Sequence, residues 1–230
     1  MPTEVAKFLL DPVKYATQTC INLQTGSGSG TTLGGFDANK SYSPCYFNLA
    51  PWSSSVFSAT NQVMLEPTTT PGTGLITGYY VPYLAYGTIT SNNASLVVLD
   101  NVPKSNPPYK FIFTGGQNGC SLLLLKGTSS SNVCALHYPN SDGKKNGYPL
   151  LSRINKSASD IILAIDFDLY GDTNNPNAAS FFYYDGSEWI GVTQPQIQGA
   201  PDMTHKRNSM SINKAAKVRV VKENSIGTVG

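Results

Sequence analysis

Histidine is nearly missing: the 230 residues hold two, His137 and His205. Any chemistry that needs an imidazole titrating near neutral pH is confined to one of those positions. Cysteine is sparse as well, with four at positions 20, 45, 120 and 134, far apart and without a C-x-x-C pair. That spacing excludes a zinc ligand set and a dense disulfide framework, and it predicts free thiols. Charged residues make up only 13% and the formal net charge is +2, so a phosphate-binding surface would need a local cluster. The one basic stretch, HKRNSMSINKAAKVRVVK at 205–222, alternates apolar and basic residues in KVRVVK. It reads as an edge strand with solvated Lys and Arg, and no nucleic-acid partner is expected.

Long apolar runs are absent, and no segment approaches the length of a membrane span. The opening MPTEVAKFLLDPVKYATQTC lacks the basic start, apolar stretch and small-residue cleavage site of a secretory signal. The chain is therefore expected to be made in the cytoplasm and, if exported, to use a machine that reads no N-terminal apolar signal. No repeat of fixed period appears, which argues against a propeller or solenoid. No G-x-S-x-G elbow is present, so serine hydrolase chemistry is set aside.

What is abundant is Gly, Pro and Tyr, at 21, 15 and 13 residues, which suits short strands joined by many turns. The segments CYFNL, NQVMLE, LITGYYVPYLAYGTIT, SLVVLD, YKFIFT, CSLLLLKG, NVCALHY, IILAIDFDLY, ASFFYYDG, EWIGVTQ and KVRVVK read as strands. In YDGSEW, Asp185-Gly186 supplies a hairpin turn. TEVAKFLLDPVKYAT is a short docking helix whose length Pro12 limits, and LLSRINKSASD is helical. The fold class is α+β, mostly β: a two-layer mixed β-sandwich with short flanking helices and long loops. One domain spans residues 1–230, with the helix and a Gly/Ser-rich loop in 1–43 and a loose tail at 223–230.

CSLLLLKGTSSSNVCALHY is two strands around a polar turn. Antiparallel pairing brings Cys120, at the start of the first, to His137, near the end of the second. A Cys–His dyad needs that proximity, since the imidazole must reach the sulfur to take its proton. Before Cys120, TGGQNG cannot continue the strand; Gly115, Gly116 and Gly119 let the chain turn and expose N–H groups for an oxyanion hole. The residues alone leave a second reading open. Cys is among the most buried residue types, and CSLLLL is continuous rather than alternating, as in a strand buried on both faces.

FIFTGGQNGC, followed by a strand, a turn and His137, resembles the catalytic segment of the glutamine-deamidase toxins typified by the cytotoxic necrotizing factors and the Burkholderia lethal factor. The chemoreceptor deamidases share the same Cys–strand–His logic. Phe113 and Thr114 occupy the places of a Phe-Thr pair in the lethal factor, and NLAPW is similar to an apolar-Pro-Trp stretch upstream of its nucleophile. The match covers residues 111 to 138, with Asn118 where those toxins have serine. The resemblance implies Cys120 as nucleophile, His137 as base, and Thr114 as the residue whose backbone carbonyl orients the imidazole. It implies a protein-glutamine deamidase, with the Cys120 N–H stabilising the oxyanion and with Gln117, Asn118 and Gly119 against the substrate. It further implies no metal or organic cofactor, a monomer, and a bacterial toxin delivered into a host cell to act on a host protein. A cysteine protease or transglutaminase-like acyl transferase would use the same thioester.

The remaining candidates are read as structural. Cys134 falls on the opposite strand face from His137, Cys20 and Cys45 are buried fillers, and His205 is a surface residue. Asp166 and Asp168 share one strand face while Asp172 lies in a turn, and without a closing glutamate they form an acidic loop, not a calcium site. The tyrosines of GYYVPYLAYG and FFYYDG offer the alternative function, a non-enzymatic β-sandwich that binds carbohydrate or plays a structural part.

Overall fold

The computed structural model describes residues 2–23, 36–37, 39–52, 61–83, 96–139, 143–171, 174–202, 207–223 and 225–229. The Gly/Ser-rich segment 24–35, most of YLAYGTIT and His205 lie outside them.

Pro12 divides the N-terminal helical stretch in two, α1 (Glu4–Leu10) and α2 (Pro12–Gln18). Proline has no N–H to donate, so it ends one helix and suits the first position of the next. Each start is capped by a side chain: Thr3 Oγ1 accepts from the Ala6 N–H at 3.1 Å and Asp11 Oδ1 from the Lys14 N–H at 2.9 Å. The apolar side, with Val5, Phe8, Tyr15 and Ala16 buried, lies on the larger sheet, where Phe8 meets Phe111, Phe113 and Phe181.

The strands are β1 (Cys20–Asn22), β2 (Tyr42–Pro51), β3 (Gln62–Thr68), β4 (Ile76–Val81), β5 (Leu99–Pro103), β6 (Phe111–Thr114), β7 (Gln117–Asn118) and β8 (Ser121–Lys126). They continue with β9 (Asn132–Tyr138), β10 (Ile161–Ile165), β11 (Asn177–Tyr184), β12 (Trp189–Asp202), β13 (Arg207–Ile212), β14 (Val218–Lys222) and β15 (Ser225–Val229). The larger sheet runs β1-β3-β2-β4-β6-β11-β12-β14-β15, with β7 on β11 and β13 on β12; the smaller runs β10-β8-β9-β5. Pairing is antiparallel except for β1 with β3 and β4 with β6, so the mixed two-sheet arrangement expected from the sequence is observed.

Side-chain parity builds three apolar layers from the two sheets. On β6, Phe111 and Phe113 join the layer under the helices, while Ile112 joins the layer between the sheets. On β8, Leu122 and Leu124 face that same inter-sheet layer. Leu123 and Leu125 face outward with Cys134, Leu136 and Tyr138, under the 3-10 turns Pro149–Ile154 and Ala158–Asp160. The unbroken leucine run is thus a strand buried on both faces, as expected. LLSRINKSASD does form helical turns, of the tighter 3-10 kind.

A buried amide network pins the N-terminus to the sheet. Gln194 Oε1 accepts from the Ile21 N–H at 2.9 Å and its Nε2 donates to the Thr19 carbonyl at 2.8 Å; Gln196 Nε2 donates to the Ile21 carbonyl at 2.8 Å. Both glutamines are buried, and these bonds supply the partners that buried amides require.

Three expectations are corrected. The segment after Ile165 is not strand but a short helix, α3 (Phe167–Tyr170), so Asp166 and Asp168 do not share a strand face. The tail is not loose, since β15 pairs along β14 with every side chain exposed; the backbone ladder and a hydrogen bond from the Arg219 guanidinium to the Thr228 hydroxyl hold it. KVRVVK is consequently not an edge strand, because β15 covers its outer side. The Asp185-Gly186 hairpin forms as read, closing on Tyr184 opposite Trp189, with Gly186 at φ 112°.

Leu124 is fully buried between the sheets. Leu124→Ala is expected to destabilise the fold by about 2–5 kcal/mol, measured as a lowered midpoint in urea; an unchanged midpoint would mean that the sheets do not pack through this strand.

Candidate functional site

Hairpin register decides where the dyad residues fall. Leu122 pairs with His137 and Ser121 with Tyr138. Cys120, two residues before Leu122, therefore lies on the face that carries His137, diagonally across the hairpin. That face looks into the space between the sheets. Opposite it, Thr114 continues the parity of Ile112 on β6 and points into the same space.

The two meet: Thr114 Oγ1 and His137 Nδ1 are 2.7 Å apart, both residues buried. The contact is made by the hydroxyl, not by the backbone carbonyl that the family resemblance implies. The Thr114 backbone lies in register with Val81 of β4, and strand geometry turns its side chain toward the imidazole. His137 Nε2 is buried and has no hydrogen-bond partner among the described residues. When Nδ1–H donates to Thr114, Nε2 carries the lone pair.

Cys120 is 4% exposed. Its thiol donates to the Asn118 carbonyl at 3.7 Å, and the Tyr83 hydroxyl lies beside the sulfur. The Tyr83 ring also lies on the imidazole, centroids 4.8 Å apart, so one aromatic side chain touches both members of the dyad. Burial pushes the Cys120 thiol up to about 11, against the smaller opposing pull of the Asn118 and Tyr83 hydrogen bonds. Burial alone holds the His137 imidazolium down to about 3. The resting site is thus a neutral thiol beside a neutral imidazole, without a direct bond between them, since Nε2 is unpartnered.

Of the backbone donors expected to form an oxyanion hole, those of Gly116, Gly119 and Cys120 are already bonded. Gly116 N–H donates to the Leu23 carbonyl at 2.9 Å and Gly119 N–H to the Pro176 carbonyl at 3.3 Å. Cys120 N–H donates to the Tyr170 hydroxyl at 2.9 Å, and that hydroxyl donates back to the Cys120 carbonyl at 2.6 Å. Gln117 adds its Nε2 to the same carbonyl at 3.2 Å. Gln117, expected against the substrate, is buried and bonded to the Cys120 backbone, while Asn118 is exposed and Gly119 partly so. Gly119 holds φ 74°, a conformation that favours glycine and bends the chain into β8.

Behind this backbone lies a buried carboxylate. Asp166 accepts from Ser121 Oγ at 2.9 Å and from the Tyr148 hydroxyl at 2.5 Å. Asp168 instead pairs with Lys144 at 2.8 Å on the surface. Among the described residues no cluster of three or more His, Cys, Asp or Glu is arranged to hold a metal; Asp172 lies outside them. Cys134 packs in the outer layer, as parity predicts, and burial raises Cys20 and Cys45 to about 12.

Of the tyrosines read as a possible carbohydrate groove, Tyr79, Tyr80 and Tyr184 are buried in the core, Tyr183 is half-buried and Tyr83 is exposed, and Tyr86 lies outside the described residues. Tyr83 and Tyr170 are the site residues that sequence reading missed. Reading the segment after Ile165 as a strand hid Tyr170, and for Tyr83 the sequence held no signal beyond its place in a tyrosine-rich run. No helix among the described residues is long and apolar enough to cross a membrane. The chain matches no protein-family model, and no curated protein is similar to it in sequence.

A folded-state value near 3 for His137, below its ordinary 6.5, fixes a sign. Below pH 6.5 the unfolded chain takes up a proton there that the folded chain refuses, so stability present above 6.5 is lost as the pH falls toward 3. His137→Gln is expected to flatten that fall by up to about 1.4 kcal/mol per pH unit, read from urea unfolding at a series of pH values. Equal slopes for both proteins would mean that the folded imidazole is solvated.

Proposed function

We propose that this protein is a cysteine-dependent glutamine deamidase, with Cys120 as nucleophile, His137 as general base and acid, and Thr114 as the residue that holds the imidazole. The observation that carries the reading is the Thr114 Oγ1–His137 Nδ1 hydrogen bond of 2.7 Å, which leaves a buried Nε2 unpartnered on the Cys120 face of the hairpin. An imidazole placed only for packing gains nothing from a free ring nitrogen in the interior, where an unmade hydrogen bond costs about 1–3 kcal/mol. A base awaiting a proton requires that free lone pair.

In this reading Nε2 takes the Cys120 proton as the sulfur attacks the side-chain carboxamide of a glutamine. The imidazolium then protonates the departing nitrogen, ammonia leaves, and a thioester remains. Water, deprotonated by the same Nε2, adds to the thioester and releases glutamate and the thiol. The neutral resting pair limits stray thiol chemistry, and the thiolate forms only when a substrate carbonyl stands ready to receive it. The resemblance to the deamidase toxins adds that the glutamine belongs to a host-cell protein, reached after delivery from a bacterium.

Incubating wild type, Cys120→Ser, His137→Ala and Thr114→Val with eukaryotic cell lysate, followed by peptide mass spectrometry, tests the reading. A glutamine-to-glutamate conversion is expected with wild type and none with Cys120→Ser. His137→Ala is expected to be slower by about 10²–10⁴-fold, with Thr114→Val between it and wild type. Peptide-bond cleavage dependent on Cys120 would reassign the chemistry to a protease, and no Cys120-dependent change would remove the enzyme reading.

A further inference from the structure

Building on the Cys120–His137 reading, we propose that the Tyr83 hydroxyl is the catalytic donor that stabilises the oxyanion formed when Cys120 attacks a carbonyl. The backbone leaves this place open. The N–H of Cys120, the usual donor beside a nucleophile at a strand start, is bonded to Tyr170 at 2.9 Å, and the same hydroxyl returns a bond to the Cys120 carbonyl at 2.6 Å. With Gln117 on that carbonyl as well, freeing the N–H would break a buried network whose members are all packed in place. The N–H groups of Gly116 and Gly119 are also bonded, to Leu23 and Pro176.

Tyr83 has what the backbone lacks. Its ring lies 4.8 Å from the His137 ring, its hydroxyl stands beside the Cys120 sulfur, and the residue is 40% exposed. It therefore stands on the solvent side of the dyad, where a substrate carbonyl arrives. When the sulfur's electron pair forms the C–S bond, the carbonyl π pair moves to oxygen, which then lies two bonds from the sulfur. A donor standing beside the sulfur needs only a small shift to reach that oxygen, and the bond strengthens as charge develops. Burial, with Cys120 beside it, raises the Tyr83 phenol above its ordinary range, so the proton stays on the oxygen that must donate. On collapse the pair returns to form the thioester carbonyl, the C–N bond breaks, and the His137 imidazolium supplies the proton that leaves with ammonia. Tyr83 keeps its own proton throughout.

Two reagents applied to the full chain separate this role from others, with the modified residue located by peptide mass spectrometry. Iodoacetamide alkylates sulfur without forming an oxyanion, whereas p-nitrophenyl acetate acylates it through one. In Tyr83→Phe, which loses one oxygen from a partly exposed side chain, the alkylation rate of Cys120 is expected to stay within a few-fold of wild type. The acylation rate is expected to fall by about 10²–10³-fold. An equal fall in both rates would overturn the proposal by showing that Tyr83 acts on the ionisation of the thiol. Unchanged acylation, or a rise in both rates, would overturn it by showing that Tyr83 only covers the site. If Cys120 of wild type reacts with neither reagent while other thiols do, the nucleophile reading itself fails, an outcome distinct from a failure of Tyr83.

Discussion

Four successive leucines at 122–125 impose the constraint on which the rest of the molecule depends. A strand with apolar side chains on both faces requires a layer on each side. Leu122 and Leu124 recruit the larger sheet, and Leu123 and Leu125 recruit the 3-10 turns of the connection before β10. The start of that strand then lies deep in the molecule, and any polar group placed there is desolvated by the arrangement that makes the strand stable. Cys120 and His137 are such groups, and their displaced protonation equilibria are a direct product of the core.

The Thr114–His137 contact gains its meaning from the same layering. It crosses from one sheet to the other at the end of a stack otherwise made of Ile112, Leu122 and Leu124. A single hydrogen bond between two sheets fixes the angle of the imidazole more firmly than a contact within one strand, because each partner is held by its own ladder. The backbone of Cys120 is fixed in turn by Tyr170 and Gln117. The side chains proposed to react are thus carried on supports fixed by hydrogen bonds, while Tyr83 is the member that stands partly exposed.

Much of this was legible in the sequence where it depends on neighbours along the chain. The β8–β9 hairpin, the common face of Cys120 and His137, and the opposite face of Cys134 all follow from period-two alternation across one turn. The double-sided burial of β8 was written in four adjacent letters. The residues that were missed act over distance: Tyr170 meets Cys120 across 50 positions, and no local pattern announces such a bond. α3 was misread because its four residues are too short for a helical period to show. The tail was misread because β15 buries no side chain, so its composition carried no trace of the backbone pairing that orders it. The Thr114 hydroxyl was overlooked in favour of its carbonyl although parity already aimed that side chain into the inter-sheet space.

The glutamine network at the N-terminus bears on how the molecule comes into being. Ile21 is held by Gln194 across 173 positions and by Gln196 across 175, so this segment finds its amide partners only through long-range pairing. Phe8 meets its aromatic partners on β6 and β11, whereas Thr19 and Ile21 wait for the amides of β12. Seating of the segment after α2 accordingly depends on contacts far along the chain, which non-local pairing makes slow.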